Sequence, residues 1–121
     1  MQYLLLIYGD EKAWEGMDPE DPGDLTAWNE YTQWLKDAGS YVAGDALAPT
    51  TAATSVRVRD GQTMTTDGPF AETKEQLGGY YLIDVDNLDD ALAAAARCPG
   101  ALGGTMEVRP VQVFDDEGNP S

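Results

Sequence analysis

The sequence contains no histidine, and this absence excludes more classes of function than any residue that is present. Imidazole is the commonest general base near neutral pH and the commonest transition-metal ligand. Catalysis by a Ser-His-Asp or Cys-His arrangement is therefore excluded, as is any zinc site that requires imidazole. The chain also has a single cysteine, Cys98, so it can form neither an intramolecular disulfide nor a cysteine-rich metal site. We predict no metal and no cofactor.

Basic residues are scarce as well. The 121 residues include 7 Lys plus Arg against 22 Asp plus Glu, which gives a formal net charge of −15. The acids are spread evenly, with 11 in residues 1–60 and 11 in residues 61–121. This balance argues against nucleic acid and against anionic membrane surfaces, because both depend on Lys and Arg for binding. Solubility is the simplest reading of the charge, and a cation or a basic protein partner is the alternative.

The sequence shows no targeting segment. The apolar start, Met1 to Tyr8, has no basic region before it and is too short for a signal peptide core or a membrane span. A lone thiol is compatible with a reducing compartment. We therefore expect a cytoplasmic protein that does not contact the membrane.

Hydrophobic periodicity predicts one domain over residues 1–114, followed by a flexible acidic tail at 115–121. The predicted order is β-α-β, a hairpin, and β-α-β. Asp21 is the predicted N-cap of the first helix, Asn87 that of the second, and Asp60-Gly61 marks a two-residue hairpin turn. The predicted strands are 3–8, 41–47, 54–59, 62–66, 80–85 and 106–114, and the predicted helices are 22–38, a short turn at 71–77, and 88–97.

Two β-α-β halves over one antiparallel sheet predict an α+β, ferredoxin-like two-layer sandwich with its two main helices on one face. In that topology the strands at 3–8 and 80–85 are central neighbours. Both are apolar on both alternating faces, so the face without helices needs a cover. A second copy, packed sheet to sheet or in a joint barrel, is the simplest cover. The alternative is that the 40–78 segment folds back over that face.

The stretch from Thr66 to Tyr81, which includes Asp67-Gly68-Pro69-Phe70, closely resembles the signature of the YCII-related proteins called the DGPF-domain family. The resemblance continues through residues 82–85, the Leu88 to Pro99 helix and the strand at 106–111, and it includes the opening strand. It implies a dimeric α/β-barrel, ferredoxin-like fold, a bacterial source and no settled activity. It also implies, for some members, a partnership with extracytoplasmic-function sigma factors.

The resemblance also implies a comparison with the wider YCII group, whose members were proposed as enzymes because they carry a histidine and an aspartate in a cleft between subunits. The absence of histidine puts that mechanism out of reach for this chain. Asp45, within Ala43-Gly44-Asp45-Ala46-Leu47, lies in the neighbourhood of the family's cleft acid.

Five residues are candidate ligand contacts, each with a structural alternative. Asp67 and Phe70 offer a carboxylate and an aromatic wall, or simply form a stiff turn. Glu72 is a proton acceptor if it is buried, or one charge on a solvated face. Arg109 binds an anion or pairs across strands. Asp45 with Asp67 and Glu72 would offer oxygens to Mg²⁺ or Ca²⁺, but no spaced motif supports a metal site.

Three functions follow from these observations, and no catalytic residue can be assigned. The first is a dimeric module that binds a small molecule or regulates without histidine-dependent catalysis. The second is a cofactor-free enzyme that uses carboxylates in an inter-subunit cleft. The third is an acidic protein-interaction partner in sigma-factor-linked transcription regulation, for which binding should be sensitive to salt.

Overall fold

The computed structural model describes residues 1–13, 25–71 and 73–121. Short 3-10 turns lie at Glu11–Ala13 and Thr50–Ala52. The described residues form, in chain order, β1 (Gln2–Gly9), α1 (Thr26–Asp37), β2 (Tyr41–Ala46), β3 (Thr54–Arg59), β4 (Gln62–Asp67), β5 (Gln76–Asp84), α2 (Leu88–Arg97), α3 (Gly100–Gly103) and β6 (Thr105–Pro110).

Strands β2, β5, β1 and β6 form an antiparallel sheet in that spatial order. The two most apolar strands, β1 and β5, are therefore the central neighbours, as predicted. The architecture is α+β, and the strand order is compatible with the expected ferredoxin-like topology. No helix among the described residues is long and apolar enough to span a membrane.

Helices α1 and α2 pack on one face of this sheet. On β1 the alternate side chains of Tyr3, Leu5 and Ile7 are buried, because successive residues of a strand point to opposite faces. Helix α1 contributes Tyr31 and Leu35, which lie four residues apart on one side of the helix. The remaining members of the buried core are Tyr81, Ile83, Ala91, Ala94, Ala95 and Cys98.

The cysteine is part of this core. Cys98 is 1% exposed, and burial raises the pKa of its thiol. A buried thiol with a raised pKa is a packing residue rather than a nucleophile, because the thiolate is the reactive form.

Helix α2 begins where the sequence predicts it, whereas helix α1 begins later than predicted. The Asn87 side chain accepts the backbone N–H of Asp90 at 2.9 Å, which confirms the predicted N-cap of α2. Helix α1 begins at Thr26 rather than at residue 22, and its N-cap, Leu25, makes no capping side-chain bond. The predicted cap at Asp21 lies outside the described residues.

The predicted helical turn at 71–77 is wrong, because β5 already begins at Gln76. Gly79 lies inside this strand. A Cβ at Gly79 would stand 3.0 Å from the carbonyl oxygen of Asp45, so glycine lets β2 and β5 approach closely. Gly44 lies inside β2. Its absent side chain leaves room for the Tyr81 ring, 2.7 Å from where a Cβ would stand.

The end of the chain also differs from its prediction. Strand β6 stops at Pro110 rather than at Phe114, since proline cannot donate a ladder hydrogen bond. The 115–121 segment contains a tight turn in which the Asp115 N–H donates to the Asn119 carbonyl at 2.8 Å. The flexibility of this tail stays a prediction.

Strands β3 and β4 form a hairpin with a sheet of its own. The turn residues Asp60 and Gly61 have φ values of 52° and 75°, as a two-residue type I′ turn requires, which confirms the predicted hairpin. Val56 and Val58 on this hairpin are 61% and 56% exposed. The 40–78 segment therefore supplies the edge strand β2 and an exposed arm, not a packed cover for the open sheet face.

Candidate functional site

The sheet face opposite the helices carries an apolar centre with polar edges. The pairing register places Asp45, Tyr80, Leu6 and Glu107 in one row across the four strands. The neighbouring row is Ala43, Leu82, Leu4 and Arg109. We call these two rows the open face. The three leucines and Tyr80 remain partly exposed, because no helix lies over them.

Asp45 and Tyr80 form the polar contact of the open face. The Tyr80 hydroxyl donates to Oδ2 of Asp45 at 2.7 Å, and the two residues are direct partners across β2 and β5. The hydrogen bond to Asp45 raises the pKa of Tyr80, and the negative charge of the carboxylate adds to the effect. The tyrosine is therefore held in its neutral, proton-donating form. Glycines at positions 44 and 79 permit the close strand pairing that brings this pair together.

Arg109 lies on the same face but at the opposite edge. Three strand spacings, about 14 Å, separate β2 from β6, and Arg109 also lies one row away from Asp45 along the strands. The Nε atom of Arg109 stands 3.7 Å from Oε1 of Glu107, in a long and exposed ion pair. Within one chain, then, the arginine pairs locally and does not join Asp45.

The other predicted site residues lie elsewhere. Asp67 ends β4 and pairs across the hairpin with Thr54. Phe70 follows the next turn and is 80% exposed. Glu72 lies outside the described residues. The predicted set is thus divided between the open face and the hairpin, and the structure does not assemble it into one site. In the described part of the chain no three potential metal ligands lie close together.

Tyr80 is the site residue that sequence reasoning missed. The run Tyr80-Tyr81 was interpreted only as apolar strand, but the two rings point to opposite faces. Tyr81 is buried under α1, where its hydroxyl is 2.7 Å from the Thr32 hydroxyl. Tyr80 faces the uncovered side. Alternation alone signals that one of the two is on the open face, but only the strand register shows that it meets Asp45.

The Asp45–Tyr80 pair can both donate and accept hydrogen bonds at the border of an apolar surface. Oδ1 of Asp45 has no hydrogen-bond partner among the described residues, so it is available to accept from a ligand. The phenol oxygen can accept a further hydrogen bond as well. Leu6 and Leu82 beside the pair supply apolar contact. This combination of few polar groups and an apolar wall is typical of small-molecule sites.

Comparison with known proteins agrees with the resemblance seen in the sequence. The family model for the YCII-related domain matches residues 1–115. An uncharacterized protein of Rhizobium meliloti (strain 1021) is 40% identical over 126 aligned residues, and the alignment covers the whole of both chains.

Proposed function

The chain belongs to the YCII-related family, and from that premise we propose that it is a homodimeric module that binds a small molecule at the Asp45–Tyr80 pair. The observation that carries the proposal is the 2.7 Å hydrogen bond of this pair. The pair lies on the open face of the sheet, which no helix among the described residues covers. Within the YCII-related family, the signature at residues 66–81 supports membership of the DGPF-domain group.

The composition of the open face supports a second copy as its cover. Leu4, Leu6 and Leu82 form its centre, and charged residues lie only at its edges. An apolar centre with a polar rim is the usual anatomy of a protein interface. A monomer that left these leucines partly in water would forgo the stabilisation that burying them supplies. Sheet-to-sheet packing, as in a dimeric α/β barrel, would bury them.

A two-fold arrangement brings the polar edges of the two copies together. A two-fold axis parallel to the strands places the β2 edge of one copy over the β6 edge of the other. Because such an axis leaves the position along the strands unchanged, Asp45 lies over the row of the partner's Glu107, and the partner's Arg109 is one row further along the strands. A ligand held in such a cleft would meet the Asp45–Tyr80 pair in a less polar setting, where hydrogen bonds are stronger.

The chemistry of the pair indicates the kind of ligand. Asp45 Oδ1 is an anionic acceptor, so the ligand carries a hydroxyl, amide or amino donor. The Asp45 carboxylate repels an anion placed beside it, which favours a neutral or cationic molecule at this site.

Sedimentation and ligand screening test the two parts of this proposal separately. We expect a dimer for the native chain and a monomer for Leu82→Glu, since a charge would be buried at the centre of the interface. Val56→Glu places the same charge on the exposed hairpin and should leave the dimer intact. A native chain that sediments as a monomer would overturn the dimer.

A thermal-shift screen against neutral and cationic metabolites tests the binding site. A ligand at 100 times its dissociation constant adds about 2.7 kcal/mol to the stability of the folded state. We expect Tyr80→Phe and Asp45→Asn to reduce the shift produced by any such ligand. Equal shifts in the native chain and both variants would place the ligand elsewhere.

The hydrogen-bonded pair also supports a cofactor-free enzyme as the alternative function. Asp45 would accept a proton from the bound molecule, and Tyr80 would orient the carboxylate. Turnover of a ligand found in the screen, lost in Asp45→Asn while binding persists, would favour this alternative. A third function, an acidic protein-interaction partner in sigma-factor-linked regulation, is supported by the family resemblance and the net charge of −15. It predicts binding to a basic protein that weakens as salt rises.

A further inference from the structure

The turn Asp67-Gly68-Pro69-Phe70 folds back against one face of the β3–β4 hairpin. The backbone N–H of Gly68 donates to the Ala53 carbonyl at 2.7 Å, and the Ser55 hydroxyl donates to the Gly68 carbonyl at 2.8 Å. Gly68 has a φ of +95°, a conformation that residues with a side chain rarely adopt. These two hydrogen bonds fix where the chain leaves β4.

The folded turn creates a groove of about 290 Å³ between itself and the hairpin. Arg57 and Met64 are direct partners across β3 and β4, and both line the floor. Pro69 and Phe70 form a wall. Ser55 and Thr66, also direct partners, complete the lining. The groove is thus built by segments that the hydrogen bonds of Gly68 hold together.

Arg57 is a cation without a carboxylate partner in the part of the chain that the structure describes. The ion pairs found there are those of Met1 with Asp84 and of Arg109 with Glu107. In a chain with 22 acidic residues, an arginine that none of the described acids approaches is available to an incoming anion.

Two exposed apolar side chains line the same groove as this arginine. Phe70 is 80% exposed and Met64 is 47% exposed. An aromatic face and a thioether both bind ring systems well. The guanidinium supplies a planar fork whose N–H groups match the two oxygens of a carboxylate. Together, the guanidinium, the aromatic ring and the thioether favour a ligand that carries both a carboxylate and a ring.

We infer that this groove binds a small carboxylate carried on a single ring, of the benzoate type. The carboxylate pairs with the Arg57 guanidinium, and the ring lies against Phe70 and Met64. The volume is at the lower limit of the roughly 300–1,000 Å³ of small-molecule pockets, which restricts the ligand to one ring. The DGPF turn acquires a role on this view, because its glycine and proline place Phe70 in the wall of the groove that Arg57 lines.

This site is separate from the Asp45–Tyr80 pair. It lies on the hairpin, which forms its own sheet, while the pair lies on the four-stranded sheet. The expected ligands also differ, since the groove favours an anion and the Asp45–Tyr80 pair favours a ligand with a hydrogen-bond donor. Asp67 does not line the groove, and alternation along β4 places it on the opposite face from Thr66.

Titration of the full-length protein with sodium benzoate, followed by two-dimensional amide NMR, tests the inference. We expect saturable shifts in residues 55–57 and 64–70, at concentrations up to about 10 mM, the weak limit for a ligand of this size. Arg57→Gln should weaken binding by about tenfold or more, because a charged hydrogen-bonded pair is lost. Benzamide, uncharged and of similar shape, should bind the native chain as weakly as benzoate binds Arg57→Gln.

Arg59→Gln is the matched control. Arg59 lies two residues along the same strand, its guanidinium donates to the Val58 carbonyl, and it does not line the groove. Its removal subtracts the same charge and should leave the affinity within about twofold. Phe70→Leu should weaken benzoate more than acetate, because only the ring contact is lost.

Three results would overturn the inference. One is the absence of saturable shifts in the hairpin. Another is an equal weakening of benzoate binding by Arg57→Gln and Arg59→Gln, which would mean that only the net charge of the hairpin matters. The third is a set of shifts confined to the open face, which would assign the carboxylate to the Asp45–Tyr80 pair instead.

Discussion

The Tyr80 hydroxyl donates to Asp45 Oδ2 across β5 and β2, and this bond is the one direct side-chain link that the described open face makes between those strands. It combines a neutral donor with an anionic acceptor on an otherwise apolar face. The chain has no imidazole, so this tyrosine–aspartate pair offers the chemistry of a phenol and a carboxylate.

Asp45→Asn should lower the pKa of Tyr80 toward the ordinary tyrosine value of about 10. In the native chain the hydrogen bond to Asp45 and its negative charge disfavour the phenolate, and asparagine removes the charge. Phenolate absorbance measured against pH reports the change, with Tyr80→Phe subtracted to isolate this residue. Glu107→Gln removes an acid from the same row without touching Tyr80 and should leave the titration unchanged. An identical curve for Asp45→Asn would contradict the coupling.

Tyr31→Phe should destabilise the protein by about 1–2 kcal/mol at neutral pH. The Tyr31 hydroxyl donates to the Ala94 carbonyl at 2.7 Å, which satisfies a backbone acceptor in the last turn of α2. Urea denaturation followed by tryptophan fluorescence measures this loss.

The same tyrosine predicts alkaline sensitivity. Burial raises the pKa of Tyr31, so the unfolded chain loses this proton at a lower pH than the folded chain does. Its contribution is fully present below the unfolded pKa of about 10 and is lost as pH rises toward the folded value. The decline of stability between about pH 9 and 11 should be shallower in Tyr31→Phe than in the native chain. Parallel declines would show that Tyr31 does not contribute.

Gly103→Ala and Gly104→Ala should differ sharply although the positions are adjacent. A Cβ at Gly104 would stand 2.1 Å from the Tyr8 carbonyl oxygen, which is backbone and cannot move without disturbing β1. Nothing lies within 4 Å of the corresponding point at Gly103. We expect a loss of about 2–3 kcal/mol for Gly104→Ala and a change within about 0.5 kcal/mol for Gly103→Ala. Similar unfolding midpoints for the two variants would refute this reading of the β1–β6 junction.

Gly61→Ala should loosen the hairpin and leave the core unchanged. The φ of +75° at Gly61 is strained for alanine by about 1 kcal/mol, while Gly61→Asn should tolerate it. An isolated two-stranded hairpin is marginally stable, so it should open as a local unit. Hydrogen exchange should speed up in β3 and β4 for the alanine variant and stay constant in β1 and β5. Faster exchange throughout the protein would mean that the hairpin is part of the cooperative core.

The sequence by itself determined the features that depend on a few neighbouring residues. The absence of histidine excludes imidazole chemistry in any fold. Asn87 followed by an alanine-rich run predicts α2 and its cap, and Asp60-Gly61 predicts the hairpin turn, because both depend on local backbone preferences. Apolar residues on both alternating faces identified β1 and β5 as the central strands.

The tertiary structure decided which distant residues meet. Strand register places Tyr80 against Asp45 and leaves Arg109 at the other edge, and no local pattern encodes that register. Pairing with β1 placed Gln76 and Leu77, the end of the predicted helical turn, in strand β5. The fold of the Gly68 turn placed Phe70 in the groove that Arg57 lines. In each case the outcome depends on contacts between segments far apart in the chain, which become defined only when the segments pack.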